Sequence, residues 1–245
     1  MTAAIKTVEL RKEYKDTVAV AGLDLEVYEG ELFSLLGVNG AGKTTTIKML
    51  STLTAPTGGE AYIFGHPVTK EGDKVKELID ISTQETSIAR KLTVGENIDF
   101  YTALNCLEGE EASRMKEYVY SAFGLDSVKN KRADKLSGGW QRKLSIALAL
   151  ISKPKLLFLD EPTLGLDVIS RRELWKTIGS LKGKMTVILT THYMEEAEAL
   201  SDRIGIMKDG RLLFTGTKEE LFSLTRKNSV EEGFISVVTG GQDNE

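Results

Sequence analysis

One segment near the N-terminus constrains this chain more than any other: Gly37-Val38-Asn39-Gly40-Ala41-Gly42-Lys43-Thr44. It stands between an apolar strand-like run, Glu31–Leu36, and an apolar-periodic helix, Lys43–Leu50. Glycines at 37, 40 and 42 let the backbone curl so that successive N–H groups face one centre, an arrangement suited to phosphate oxygens. The helix start adds about half a positive charge. In that setting Lys43 reaches the β- and γ-phosphates of a nucleoside triphosphate and the Thr44 hydroxyl ligates Mg²⁺. Val38, Asn39, Ala41 and Thr45 complete the nucleotide-contacting stretch. A Gly-rich turn that merely precedes a helix would leave the register of strand, loop and helix unexplained.

A second apolar run, Lys155–Leu159, ends in Asp160-Glu161-Pro162. A buried strand that delivers carboxylates at its C-terminal end is how open α/β sheets present ligands to a crevice. Asp160 is expected to hold Mg²⁺ mainly through the ion's water shell, because Mg²⁺ dehydrates reluctantly. Glu161 is expected to polarise an attacking water, a role typically worth about 10²–10⁴-fold in rate. Pro162 stops the strand. The competing reading makes both acids solvated residues at a strand exit.

Strand-like runs at Thr7–Leu10, Leu23–Val27 and Ala61–Phe64 accompany the first segment. From Val94 to Ile151 the pattern is helical, with apolar spacing in Ile98–Leu104 and Met115–Phe123. Strand and helix then alternate: Leu156–Leu159, Arg171–Leu181, Thr186–Leu189, Tyr193–Leu200. Such alternation implies parallel strands with crossover helices. Arg203–Met207 and Leu212–Thr215 flank Asp209-Gly210, a hairpin signal. The fold class is α/β with a helical insertion.

A net charge of −4 lends no support to nucleic-acid binding. The single cysteine, Cys106, reads as packing filler, and His66 as a turn residue. Met1–Lys6 shows no secretory signal, and the longest apolar run, Leu144–Ile151, falls short of the ~18 residues of a membrane span. The chain is expected to be soluble, with any membrane role coming through a partner.

Leu136-Ser137-Gly138-Gly139, followed by a long helix from Gln141, resembles the signature segment of ABC ATPases. The resemblance implies that Ser137, Gly138 and Gly139 face the γ-phosphate held by an opposite subunit, so that the site is composite. Other features follow in the family's order. Tyr14, about 23 residues before Gly37, stands where the family stacks an aromatic on adenine. Gln84, after Leu78–Ile81, matches the glutamine that touches Mg²⁺ or water and senses the transport partner. Leu164-Gly165-Leu166-Asp167 matches the loop that crosses to the other subunit, and His192 matches the switch histidine that contacts the γ-phosphate and positions water with Glu161. Taken singly, Tyr14 also fits a strand-end aromatic, Gln84 a solvated loop residue and His192 a structural histidine. One departure is Trp140, where many members carry Gln.

The resemblance, from about Ile5 to Leu224, implies a P-loop NTPase core with a mostly parallel sheet and an N-terminal antiparallel β subdomain. It also implies a helical subdomain inserted at about residues 90–152 of an ATPase domain covering 1–225. Residues 226–245 are expected to form a short C-terminal helix and, from Gly240, a disordered tail. Thr44–Leu50, Thr191–Ala197 and Ser229–Phe234 are similar to ATPase subunits of bacterial exporters related to daunorubicin-resistance proteins. The implied activity is hydrolysis of Mg-ATP in a dimer of nucleotide-binding subunits, homomeric or heteromeric. That dimer would power an integral-membrane permease from the cytoplasmic face. An importer or lipoprotein-type transporter, a soluble ABC ATPase acting on ribosomes or DNA, and a non-hydrolysing regulator are the alternatives. A GTPase is set aside because Asn130-Lys131-Arg132-Ala133 lacks the guanine-reading Asp.

Overall fold

The computed structural model describes residues 2–240. Strands β1 (Ala3–Tyr14), β2 (Thr17–Leu23) and β3 (Glu26–Tyr28) lead into β4 (Leu32–Leu36) and helix α1 (Lys43–Leu50). Then come β5 (Gly58–Ile63), β6 (His66–Pro67), α2 (Gly72–Leu78) and β7 (Ile79–Ser82). Helices α3 (Val94–Leu104), α4 (Gly109–Phe123) and α5 (Gly138–Leu150) form a lobe, with short 3-10 turns at Leu125–Val128 and Ala133–Lys135. The chain continues through β8 (Leu156–Asp160), α6 (Val168–Gly179), β9 (Thr186–Thr191), α7 (Met194–Leu200), β10 (Arg203–Lys208) and β11 (Arg211–Gly216). It closes with α8 (Lys218–Thr225) and α9 (Val230–Thr239).

These strands make two sheets. One is antiparallel, ordered β2-β1-β5-β6, with β3 also on β1; the other is ordered β11-β10-β4-β9-β8-β7. In the second sheet β10, β4, β9, β8 and β7 run parallel, and only the β10–β11 hairpin is antiparallel. Every residue of β4, β8 and β9 is buried, the continuous pattern of strands covered on both faces. Alternation sorts their side chains. Leu157, Leu159, Val187 and Leu189 pack with the helical lobe, whereas Leu156, Phe158, Ile188 and Leu35 pack with α1 and the antiparallel sheet. The architecture is the expected α/β class: a mostly parallel core, an antiparallel N-terminal sheet and an inserted helical lobe. A third cluster, with Leu36, Ile206, Leu221 and Phe234, seats α8 and α9 on the β10 side.

Several sequence expectations need correction. Leu23–Val27 is not one strand: β2 ends at Leu23 and β3 begins at Glu26. The Thr7 hydroxyl enters the break, donating to Leu23 O at 2.6 Å and accepting from Leu25 N at 2.8 Å. Strand β1 is much longer than Thr7–Leu10, because its outer half is exposed and polar and so carries no apolar run. Cys106 is exposed at the end of α3, with φ 54, and fills no core space. The tail expected beyond Gly240 lies outside the described residues. Among the described residues no helix is long and apolar enough to cross a membrane.

Candidate nucleotide site

Central strand β4 runs between β10 and β9 and releases the chain into the glycine loop at the C-terminal edge of the parallel strands. The loop must pass tightly under β2. At Gly42, where φ is +104, an added Cβ would lie 2.5 Å from Ala19 O. Helix α1 begins immediately afterwards with no side-chain cap and no acidic residue in its first turn. Its first amides are thus left to an external acceptor. Lys43 is 6% exposed; its Nζ donates to Gly37 O at 2.7 Å and Val38 O at 3.3 Å. An ammonium folded back on its own loop carbonyls is a cation with local stand-ins for an anionic ligand.

Strands β8 and β9 bring the acids to this loop. Their register pairs Asp160 with Thr190, whose hydroxyl donates to Asp160 Oδ1 at 2.6 Å. Thr44 Oγ1 donates to the same carboxylate oxygen at 3.2 Å. Hard oxygen donors converging from a helix start and a strand end are the chemistry that suits Mg²⁺. The residues present therefore fit that ion, which Thr44 and Asp160 would hold.

The chain leaves β8 abruptly. Glu161 adopts φ 48, a left-handed conformation typically costing about 1–3 kcal/mol outside glycine. Its amide is held by Thr190, through the carbonyl and the hydroxyl, both at 3.1 Å. The bend turns the carboxylate into the cleft between Lys43 and His192. Oε1 is 3.4 Å from Lys43 Nζ, and Oε2 is 2.8 Å from His192 Nδ1. Behind the imidazole, the Tyr193 ring lies 4.2 Å away between centroids, and the Arg171 guanidinium sits 4.2 Å over that ring.

A cleft of about 630 Å³ joins these groups, lined by Tyr14, the loop from Asn39 to Thr45, Gln84, Glu161, Leu164 and His192. Tyr14 is 45% exposed, and Lys12 Nζ stands 5.0 Å from its ring centroid. Gln84 is exposed and reaches both this cleft and a neighbouring one that Gly138 lines. The structure thus gathers Tyr14, the glycine loop, Gln84, Glu161 and His192 into one cavity, with Asp160 beneath it.

It does not bring Ser137, Gly138 and Gly139 there. Ser137 and Gly138 are exposed at the start of α5, while Gly139 packs on Ser170, where an added Cβ would sit 3.0 Å away. Trp140 packs against the core of the helical lobe under Lys143, 4.7 Å from the ring. Gln141 Nε2 turns inward to Ala133 O at 3.0 Å and Leu136 O at 3.2 Å. Asp167 caps its own helix α6, accepting from Ile169 N and Ser170 N. Outside the site, His66 pairs with Glu71 at 2.7 Å.

Sequence reasoning missed Thr190, Tyr193, Arg171, Arg142 and Glu196. Only strand register points to Thr190. Glu196 is fully buried on α7 and takes a bond from Trp175 Nε1 at 2.9 Å. Burial pushes its pKa up from the usual carboxylate range, opposed by the neighbouring Thr191 and Thr163 hydroxyls and by Trp175.

Fold and cleft together define a class: a P-loop α/β protein with a phosphate cradle at the C-terminal edge of its parallel sheet. The chain belongs to the ABC transporter family, whose profile matches residues 20–164. It is 42% identical over 228 residues to the daunorubicin/doxorubicin resistance ATP-binding protein DrrA of Streptomyces peucetius, covering 93% of this chain and 69% of that protein. It is also 42% identical over 221 residues to the phospholipid-transporting ATPase ABCA3 of Homo sapiens, covering 89% of this chain but only 13% of that protein. Among solved structures, a dimeric post-hydrolysis state of the ATP-binding cassette MJ0796, bound to ADP and Pi, matches with a TM-score of 0.76 at 26% identity. That match covers 87% of this chain and 98% of the other.

Proposed function

We propose that this chain hydrolyses ATP as the nucleotide-binding subunit of an ABC exporter, working in a dimer whose two copies close around shared nucleotides. The observation that carries the reading is the Glu161 carboxylate, poised between Lys43 and His192 in a cleft whose open side lacks Ser137. One chain supplies the cradle, and the exposed start of α5 in a second copy supplies the missing wall.

In this reading Tyr14 stacks on the adenine, and the loop amides with Lys43 hold the phosphates. Thr44, Asp160 and Gln84 would hold Mg²⁺, which would supply positive charge to the terminal phosphates. Glu161 Oε1 accepts the proton of the attacking water, and His192 fixes that carboxylate and the water's line of approach. Ser137 Oγ and the Gly138–Gly139 amides of the second copy bind the terminal phosphate from the far side. Losing that shared charge opens the interface.

Two partners belong to this reading. The second copy is one; an integral-membrane permease is the other, seated on the segment after Gln84 and the adjoining lobe. There Phe100 and Leu104 of α3 stand 53% and 65% exposed. The peripheral site is then the cytoplasmic face of the membrane. Similarity to a drug-resistance ATP-binding protein supports export. A role on ribosomes or DNA is not favoured, since the net charge is −4 and the relatives include a drug-resistance ATP-binding protein and a phospholipid-transporting ATPase. Ser137→Arg tests the shared site: nucleotide-driven pairing and cooperative turnover should both disappear, while a single chain still binds ATP. Pairing and turnover at wild-type level would overturn the proposal.

A further inference from the structure

Arg142 lies one turn into α5, and its side chain is almost wholly buried, at 5% exposure. Its two terminal nitrogens donate to successive carbonyls across the lobe boundary: Nη1 to Thr83 O and Nη2 to Gln84 O, both at 2.6 Å. Among the described residues no carboxylate stands within ion-pair distance of this guanidinium. Asp160 is the acid whose field reaches it, opposing a burial effect that pulls its pKa down.

A buried arginine without an ion pair is unusual, because an uncompensated charge is costly to remove from water. Its compensation here is the pair of backbone carbonyls. The planar fork of a guanidinium can grip two such acceptors at fixed spacing, and a lysine ammonium does so poorly. One turn further along α5, Ser145 Oγ meets Ser82 Oγ at 3.0 Å, so the end of β7 and the first turns of α5 are joined twice. The far end of the same loop is tied to α3, where Asn97 bonds both the amide and the carbonyl of Ala89 at 2.8 and 3.1 Å. The segment bearing Gln84 therefore hangs between two side-chain clamps, and the one at Gln84 itself belongs to the helix that begins at Gly138.

From this geometry we infer that Arg142 is a positioning residue that couples the two nucleotide sites of the dimer. The inference rests on the composite-site reading above. In each copy the start of α5 completes the partner's site, whereas Gln84 serves the copy's own cleft. The guanidinium joins these two parts of one chain directly. Any shift of α5 on meeting a nucleotide in the partner must drag the Gln84 carbonyl along or strand a buried charge. Because coupling is reciprocal, nucleotide in the copy's own cleft must equally bias the α5 terminus offered to the partner.

The test uses the full chain with Arg142→Gln and Arg142→Lys. The Hill coefficient and kcat of ATP turnover are measured, together with binding of a fluorescent ATP analogue at dilutions where the chain is monomeric. Amide hydrogen exchange of residues 83–87 gives a readout independent of activity. Wild type should turn over ATP with a Hill coefficient of about 1.5–2, falling to about 1 in both variants. Turnover should drop at least about fivefold, analogue affinity stay within about twofold, and exchange at 83–87 rise about tenfold. Lysine, keeping charge but not the fork, should fail to rescue; if the glutamine variant does not fold, the lysine variant decides. A cooperative wild type with variants of unchanged Hill coefficient overturns the coupling alone. A non-cooperative wild type overturns the shared site and the coupling with it.

Discussion

Replacing Glu161 by Gln removes one negative charge while keeping nearly the same shape, and the geometry around it makes two opposite effects expected. The carboxylate is the basic group facing the cleft, so its loss should slow hydrolysis by about 10²–10⁴-fold, equivalent to about 3–5 kcal/mol of activation free energy. It also neutralises Lys43, the cation proposed above to hold phosphate, from 3.4 Å. At that separation the attraction is about 5 kcal/mol for an effective dielectric of 20 and about 1 kcal/mol for a water-like one. Desolvation of both ions offsets most of the larger figure. A net release of about 1 kcal/mol should therefore tighten ATP binding about fivefold. The variant should combine a collapsed kcat with a lower Kd and accumulate as an ATP-bound pair. Steady-state turnover, analogue titration and size-exclusion chromatography with ATP would read these three quantities. Undiminished turnover would refute the base assignment; weaker ATP binding would refute the idea that Glu161 competes for Lys43.

Three further outcomes follow from particular contacts. Tyr14→Ala should weaken ATP binding by about 1–3 kcal/mol, the usual worth of stacking a base on an aromatic ring, whereas Tyr14→Phe should bind like wild type in the same titration. Gly42→Ala would place a Cβ 2.5 Å from Ala19 O at a φ of +104. It should cost at least about 2 kcal/mol, lowering Tm by about 4–8 °C in calorimetry, and abolish ATP binding. Glu196→Gln keeps an acceptor for Trp175 but removes an acid whose pKa is raised by burial. A raised carboxylate favours the fold at acid pH and loses that contribution as pH climbs through its folded value. The variant should gain Tm over wild type as pH rises above the ordinary carboxylate range, with little difference near pH 4. A gap that does not change with pH would refute the burial argument.

Much of the site was legible because its parts are local. The turn from Gly37 to Gly42, the lysine after it and the helix start are encoded in contiguous residues, and the backbone conformation they require is available to almost nothing but glycine. Strands β4, β8 and β9 announced themselves because burial on both faces demands uninterrupted apolar runs. Strand β1 hid its length for the converse reason: half of it faces water, and the break between β2 and β3 is organised by one of its hydroxyls, that of Thr7.

What the order of residues could not decide is which groups meet. Placing Glu161 between Lys43 and His192 depends on β9 lying between β4 and β8, a pairing of strands far apart in the chain. The same holds for the Arg142 fork on Gln84, across a separation of 58 residues. Local sequence determines backbone conformation and periodicity, because those energies act over a few neighbouring residues. Contacts between side chains wait for the packing of layers, and only that packing set the Ser137 segment on a face apart from the cleft.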